Sequence, residues 1–330
     1  MINTTLKKLS ETLGLSISTV SRALKNHPDI SDDTKKRVWD LANMMEYEPN
    51  TYAINLKTNN SRTFGLIVPV ISNYFYDSLI ASLEEEARIQ HYSLLILQSG
   101  DNPEIEQSNL KLCKHNRVTG LFVAISSETT DISNFTKLSD NNCPVIFLDK
   151  VPVDDNVHKI CMADKHAAIL AAEALCKLNR KKILAIFGNN NLSITKERMD
   201  AFKEYFAVNS PGTKLDIAEA KNPAEAYQIV LKKYPQKAKP DAVFCMSDEI
   251  LTGVMKAVQQ LEIKIPKDLS LIAISNGIIP HLYYPEITYV ETSGYKMGKL
   301  AFSRMMSCLA GSSFIQNLKV DALLINGGSL

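Results

Sequence analysis

Two rhythms of apolar positions divide the chain near residue 60. Before it, apolar residues recur every three or four positions. In "LKKLSETL", Leu6, Leu9 and Leu13 fall at i, i+3 and i+7, which predicts a helix. Gly14 breaks that pattern, and Ser16 is placed to cap a second helix whose inner face is Val20, Ala23 and Leu24. Ser31 caps a third, with Asp32 and Asp33 in its first turn and Val38, Leu41, Ala42 and Met45 along its inner face, until Pro49 stops it. Three short helices with a Gly turn between the first two predict a helix-turn-helix. From Phe64 the rhythm changes. Short β-rich runs ("FGLIVPV", "YSLLILQS", "GLFVAI", "CPVIFLDK", "KKILAIFG", "AVFCM", "LSLIAIS") alternate with helical stretches over 77–90, 104–115, 166–178, 195–208, 224–234 and 248–261. That alternation predicts an α/β fold of doubly wound parallel sheets. So many strands read better as two sheets than one, with "VPVDDNVHKI" at 151–160 as the crossing between them.

Composition adds mainly exclusions. The chain has 330 residues, 45% hydrophobic and 22% charged, enough for two or three domains with real cores. Its net charge of +1 gives no hint of nucleic acid, and residues 1–62 carry nine Lys/Arg against seven Asp/Glu, a local net of +2. The six cysteines form no CxxC pair and read as reduced core thiols. The first residues hold no apolar h-region, and no apolar run reaches membrane length, so a cytoplasmic protein with no membrane partner is expected. The six histidines are scattered, and there is no P-loop, no G-x-G-x-x-G and no nucleophile motif. No metal, no cofactor and no enzymatic activity are therefore expected.

The second helix is the informative one. "SISTVSRALKNHP" carries Ser16, Ser18, Thr19, Ser21 and Arg22, where a helix selected for stability would use Ala, Leu, Glu and Lys. Small hydroxyls let a backbone approach the major groove, and an arginine can take guanine bidentately. On spacing alone, a three-helix bundle that binds a protein stays open, because Ser and Thr also begin helices merely as caps.

A resemblance goes further. Gly14, "STVSRAL", "ISDDTKKRV", Tyr47 with Pro49 and Asn50, and Leu56 resemble the DNA-binding headpiece of the LacI (lactose-repressor) family. "RTFGLIVPVISNYFY", "GYKMGKLA" and the stretch from Pro285 to Thr288 resemble that family's core. The resemblance implies a headpiece over 1–48, a hinge helix and linker over 49–62, a core N-subdomain over 63–160 with 291–320, and a C-subdomain over 161–290 with 321–330. It implies that Ile17, Ser18 and Arg22 read bases, that Ser16, Thr19, Ser21 and Asn26 meet phosphates or fix the helix, and that Asn50, Ala53 and Leu56 belong to the hinge. Leu56 matches a leucine wedged into the minor groove, where apolar wedges kink DNA.

The same resemblance implies a periplasmic-binding-protein-like core whose effector lies between two subdomains, reached by Asn73, Phe75, Asp149, Arg198, Ser247, Asp248 and Ser275. Each has a plainer reading. Asp248 could only cap its helix, Arg198 could lie on a helix surface, Asp149 could pair with a lysine, and Phe75 could be core or interface. The implied partners are a pseudo-palindromic double-stranded DNA operator, a small-molecule effector of carbohydrate type, and a second copy in a homodimer. "LLINGGSL" at the end holds no heptad, so a C-terminal coiled coil is not expected. Two other classes share parts of the pattern: a solute-binding protein without a DNA role, and an enzyme on doubly wound sheets.

Overall fold

The structure is a computed structural model that describes residues 5–47, 61–190, 192–236 and 238–330. Two compact units part between Ser61 and Arg62. The readings for Asn50, Ala53 and Leu56 lie outside the described residues.

The first unit holds α1 (Leu6–Leu13), α2 (Ile17–Leu24) and α3 (Asp32–Met44). A hydroxyl begins each helix: Thr5, Ser16 and Ser31 accept the backbone N–H three residues on. Gly14 ends α1 at φ +66°, a left-handed conformation that strains a residue with a Cβ, and its N–H returns to Glu11 and Ser10. Helices of eight residues are marginal alone in water. Packing holds them: Leu9, Val20, Ala23, Val38 and Ala42 are buried at the centre, flanked by Leu13, Leu24, Leu41 and Tyr47. Each large side chain buried there contributes about 1.5–3 kcal/mol.

The second unit carries two six-stranded sheets. In the first, β1 (Thr63–Val68), β2 (Ser93–Gln98), β3 (Gly120–Val123), β4 (Val145–Leu148), β5 (His158–Met162) and β11 (Asn317–Val320) lie in the order β11-β5-β4-β3-β1-β2. In the second, β6 (Lys182–Phe187), β7 (Lys214–Glu219), β8 (Ala242–Cys245), β9 (Ser270–Ser275), β10 (Thr288–Glu291) and β12 (Leu323–Ile325) lie in the order β12-β10-β9-β8-β6-β7. Every pairing among the described residues is parallel except that of β12 with β10. The central strands β3, β4 and β8 are buried at every residue, while the edge strands β2 and β7 are half exposed. Both sheets repeat one winding, with a switch point between β1 and β3 and another between β6 and β8. Crevices at such points take ligands outside the carboxyl ends of the strands.

Eight helices cover the described sheets: α4 (Tyr74–Ile89), α5 (Pro103–His115), α6 (Ser133–Asp140), α7 (Asp164–Cys176), α8 (Ser193–Asn209), α9 (Pro223–Lys233), α10 (Asp248–Gln260) and α11 (Gly294–Leu309). Six begin within a few residues of the sequence reading. Helices α6 and α11 and the strands β5, β7, β10, β11 and β12 were not among its runs. Glycines let α11 press on α4: a Cβ at Gly294 would meet the Phe75 carbonyl oxygen at 2.3 Å. No helix among the described residues is long and apolar enough to cross a membrane.

The crossing assigned to 151–160 is corrected by the topology. That segment joins β4 to β5 inside the first sheet, because His158–Ile160 pair with Ile146–Leu148. The chain changes sheets instead after Met162, again at 292–293 between β10 and α11, and a third time at 321–322 between β11 and β12. The boundaries 160/161 and 290/291 therefore shift by about two residues, since each cuts a paired strand. The first and third passages touch: Ala163 N–H donates to the Val320 carbonyl at 2.9 Å.

Candidate functional site

Helix α2 separates its residues by role. Val20 and Ala23 are fully buried, while Ile17, Ser18 and Arg22 face solvent. Ser18 and Arg22 are four residues apart and share one face. Ser16 Oγ accepts from Thr19 N–H at 3.1 Å and lies 2.7 Å from Ser18 Oγ and 2.8 Å from Thr19 Oγ1. Ser16 and Thr19 thus build the start of the helix, and Ser21 is half-buried beside it. Asn26, exposed at φ +53°, turns the chain just beyond α2, a conformation asparagine tolerates.

The second constellation is a cavity of about 350 Å³ between the two sheets. All seven core residues singled out in the sequence line it: Asn73, Phe75, Asp149, Arg198, Ser247, Asp248 and Ser275. They come from the carboxyl ends of strands in both sheets and from the helix starts that follow them. Asn73 caps α4 by accepting from the N–H groups of Phe75 and Tyr76, and its amide donates across the cleft to Glu249 at 2.7 Å. Asn276 spans the same gap, donating to the Tyr74 carbonyl at 2.6 Å. Two hydrogen bonds therefore tie the facing walls together.

Two plainer readings are resolved by contacts. Asp149 does not pair with a lysine; it sits at φ +55° after β4 and accepts from Tyr76 hydroxyl at 2.6 Å. Burial, and then Asp149, push the Tyr76 phenol well above its usual range, so it remains a donor. Arg198 is not on the surface; it is buried, with Nε and a terminal nitrogen on Asp164 Oδ1 at 2.8 and 2.6 Å and its other terminal nitrogen donating to the Met246 carbonyl at 3.0 Å. Burial pushes Asp164 up to about 6, against the attraction of Arg198. Ser247 caps α10. Asp248 accepts from Ser275 Oγ at 2.5 Å and Asn276 N–H at 3.1 Å, and burial pushes it up to about 6 despite those bonds.

Sequence reasoning missed Tyr76, Asp101, Lys150 and Asp164. Lys150 Nζ meets Asp101 Oδ1 at 2.9 Å, and Ser127 donates to the same carboxylate. Burial acts to raise Asp101, but the bonds from Ser127 and Lys150 outweigh it and hold it below the usual carboxylate range. No spacing rule could join Asp101 to Lys150, because they follow different strands; the only trace was a charged residue within a few positions after each apolar run.

The charge balance of the cavity follows from these pairs. Lys150 is matched by Asp101, and Arg198 by Asp164. Asp149, Asp248 and Glu249 have only neutral donors in the contacts described above. The cavity thus offers carboxylate acceptors in excess of cations, with Phe75, Ile194, Met246 and Ile274 as apolar wall.

Residues 5–50 match the family described as "Bacterial regulatory proteins, lacI family", and residues 61–326 match "Periplasmic binding proteins and sugar binding domain of LacI family". The chain is 27% identical over 304 residues to the HTH-type transcriptional repressor PurR of Actinobacillus pleuropneumoniae serotype 3, covering 92% of this chain and 90% of that protein. It is 28% identical over 305 residues to the HTH-type transcriptional regulator DegA of Bacillus subtilis, covering 90% and 89%. Among solved structures it is similar in fold to a lac repressor dimer bound to operator and the anti-inducer ONPF, with a TM-score of 0.87 at 19% identity over 99% of both chains. A ribose operon repressor from Lactobacillus acidophilus gives 0.72 at 21% identity, covering 82% of this chain and 98% of that one.

Proposed function

Because the chain belongs to the LacI family of bacterial regulatory proteins, we propose that α2 reads the major groove of an operator and that a carbohydrate in the cleft sets the affinity. The protein is a DNA-binding transcriptional regulator with an effector-binding core. What supports the division of labour is exposure: Ser18 and Arg22 face solvent on one side of a helix whose other side is core. Ile17, Ser18 and Arg22 then contact bases, while Ser16, Thr19, Ser21 and Asn26 shape the helix or meet phosphate. Asn50, Ala53 and Leu56 serve as hinge, with Leu56 as minor-groove wedge. The headpiece takes 1–48, the hinge 49–62, and the rest divides into two subdomains at the three passages between sheets.

The observation that carries the effector reading is convergence. Seven residues spread from Asn73 to Ser275 line one cavity of about 350 Å³. Its surplus carboxylates suit a ligand rich in hydroxyl donors and repel phosphate. Ligand acts only through its different affinity for the two arrangements of the subdomains, which the two bonds across the cleft already bias. A homodimer in the cytoplasm on a two-fold symmetric site completes the proposal, and the exposed Leu282 and Tyr284 near His281 offer it apolar surface. The protein acts as a regulator and not as an enzyme.

The test is a gel-shift titration at fixed salt with DNA from upstream of its own gene, with and without neutral sugars and sugar phosphates. A shift that neutral sugars change, in either direction, is expected. No shift on any such DNA refutes the operator reading; a response to sugar phosphates alone refutes the effector class. Leu56→Ala should weaken operator binding while leaving the core folded, and unchanged affinity would refute the wedge.

A further inference from the structure

We propose a second ligand site, for a small organic anion, at the amino-terminal end of the first sheet. A cavity of about 580 Å³ lies there, larger than the cleft between the sheets. The buried Phe135 and Phe147 form its floor with Leu309, and the exposed Ser139, Asn156 and Ser313 supply a polar rim. Val145 and Phe147 of β4 line this cavity, while Asp149, just past the other end of the same strand, lines the cleft. One strand thus connects the two.

The charge of the ligand follows from Arg304, which lies behind the wall and is bonded to the lining residue Ser312. Its side chain is 5% exposed. One terminal nitrogen donates to Ser312 Oγ at 3.1 Å, the other to the Phe314 carbonyl, and Nε has no partner. No carboxylate among the described residues forms an ion pair with it. Ser312 lines the cavity, and the guanidinium also acts on two more lining residues: it holds the Cys308 thiol down against the rise from burial, and it adds to the burial that lowers His158.

Holding the loop after α11 needs only two N–H donors, which a neutral glutamine could supply. The charge itself is left uncompensated, and a buried charge without a counter-ion is costly. An anion entering beside Ser312 would answer that charge at short range, with the Ser312 hydroxyl between the anion and the guanidinium. The acidic lining residue, Asp140, is exposed at the rim, where water and salt screen it. Ile315 in the lining and the neighbouring Phe314, 73% exposed, favour a ligand with an apolar body.

The test measures thermal shifts of the full chain with phenyl phosphate, benzoate, inorganic phosphate and benzyl alcohol up to millimolar concentrations. A saturable rise in Tm is expected with phenyl phosphate or benzoate and not with benzyl alcohol, and comparison of the two anions identifies the preferred head group. His158 ring resonances should move with the same saturation. Arg304→Gln should weaken binding by roughly tenfold or more. Ser139→Trp, which fills the cavity and keeps the arginine, should do the same and decides the matter if Arg304→Gln fails to fold. No saturable shift with either organic anion, or a shift that survives Ser139→Trp, overturns the proposal.

Discussion

Replacing Arg198 with Met would strip a buried carboxylate of its cation. Arg198 and Asp164 are 7% and 8% exposed at their side chains, and their closest approach is 2.6 Å. The guanidinium makes two contacts to Asp164 Oδ1 and one to the Met246 carbonyl. Breaking such a pair from one side costs about 3–5 kcal/mol, because the remaining charge stays buried. The pH dependence supplies the discriminating measurement. Asp164 is already raised to about 6 from an unfolded value near 3.8. A folded pKa above the unfolded one means stability that is fully present below the unfolded value and lost as pH rises through the folded value. That difference corresponds to about 3 kcal/mol between acid and neutral solution. Without Arg198 the pKa climbs further, so protonated Asp164 predominates at about pH 5 and rescues the variant there. Urea unfolding of Arg198→Met should therefore show a deficit of about 3–5 kcal/mol near pH 8 and less than half of it near pH 5. Adding Asp164→Asn should recover most of the loss. Equal deficits at both pH values, or a deficit below about 1 kcal/mol near pH 8, would refute the account of this pair.

Three further outcomes are expected. Arg22→Ala should cost about 1–3 kcal/mol of operator binding and relax preference at one base pair; an unaltered preference in a binding-site selection would place Arg22 on the DNA backbone instead. Gly294→Ala should lower core stability by about 1–3 kcal/mol, because the new methyl meets the Phe75 carbonyl at 2.3 Å and Ser78 Oγ at 2.5 Å; an unchanged Tm would show that α11 shifts freely on α4. The double variant Glu249→Ala with Asn276→Ala removes both bonds across the cleft, so its radius of gyration by small-angle scattering should rise in the absence of ligand. An unaltered radius would mean that those bonds do not hold the walls together.

The elements legible in the sequence were those whose burial leaves a periodic trace. Strands β1, β3, β4 and β8 bury nearly every residue, so they stand out as unbroken apolar runs. Edge strand β7, "KLDIAE", buries no residue fully and reads as polar. Helix α6 buries only Phe135 and Leu138 in a string of small polar residues. Helix α11 hides its periodicity because Gly294 and Gly298, poor helix formers, sit at the close approach to α4. The site divides in the same way. Asp248 was visible as a residue at a helix start, but the cap that the sequence assigned to it belongs to Ser247, which leaves Asp248 free to accept from Ser275 and Asn276. The pairing of Arg198 with Asp164 was not, because it joins two helix starts 34 residues apart and depends on how α7 and α8 pack. The same holds for the corrected crossing: polar composition marked 151–160 as loop, but only strand pairing shows which sheet the next strand enters.

The chain passes between the sheets three times, at Ala163, at 292–293 and at 321–322. Two lobes joined at one point could tumble independently, whereas three parallel connections remove most rotational degrees of freedom and leave a single soft axis. They also make the joint redundant. A protease nick in any one of them would leave both lobes still covalently attached through the other two, so limited digestion there should yield a protein that keeps its shape in native solution and separates into fragments only under denaturant.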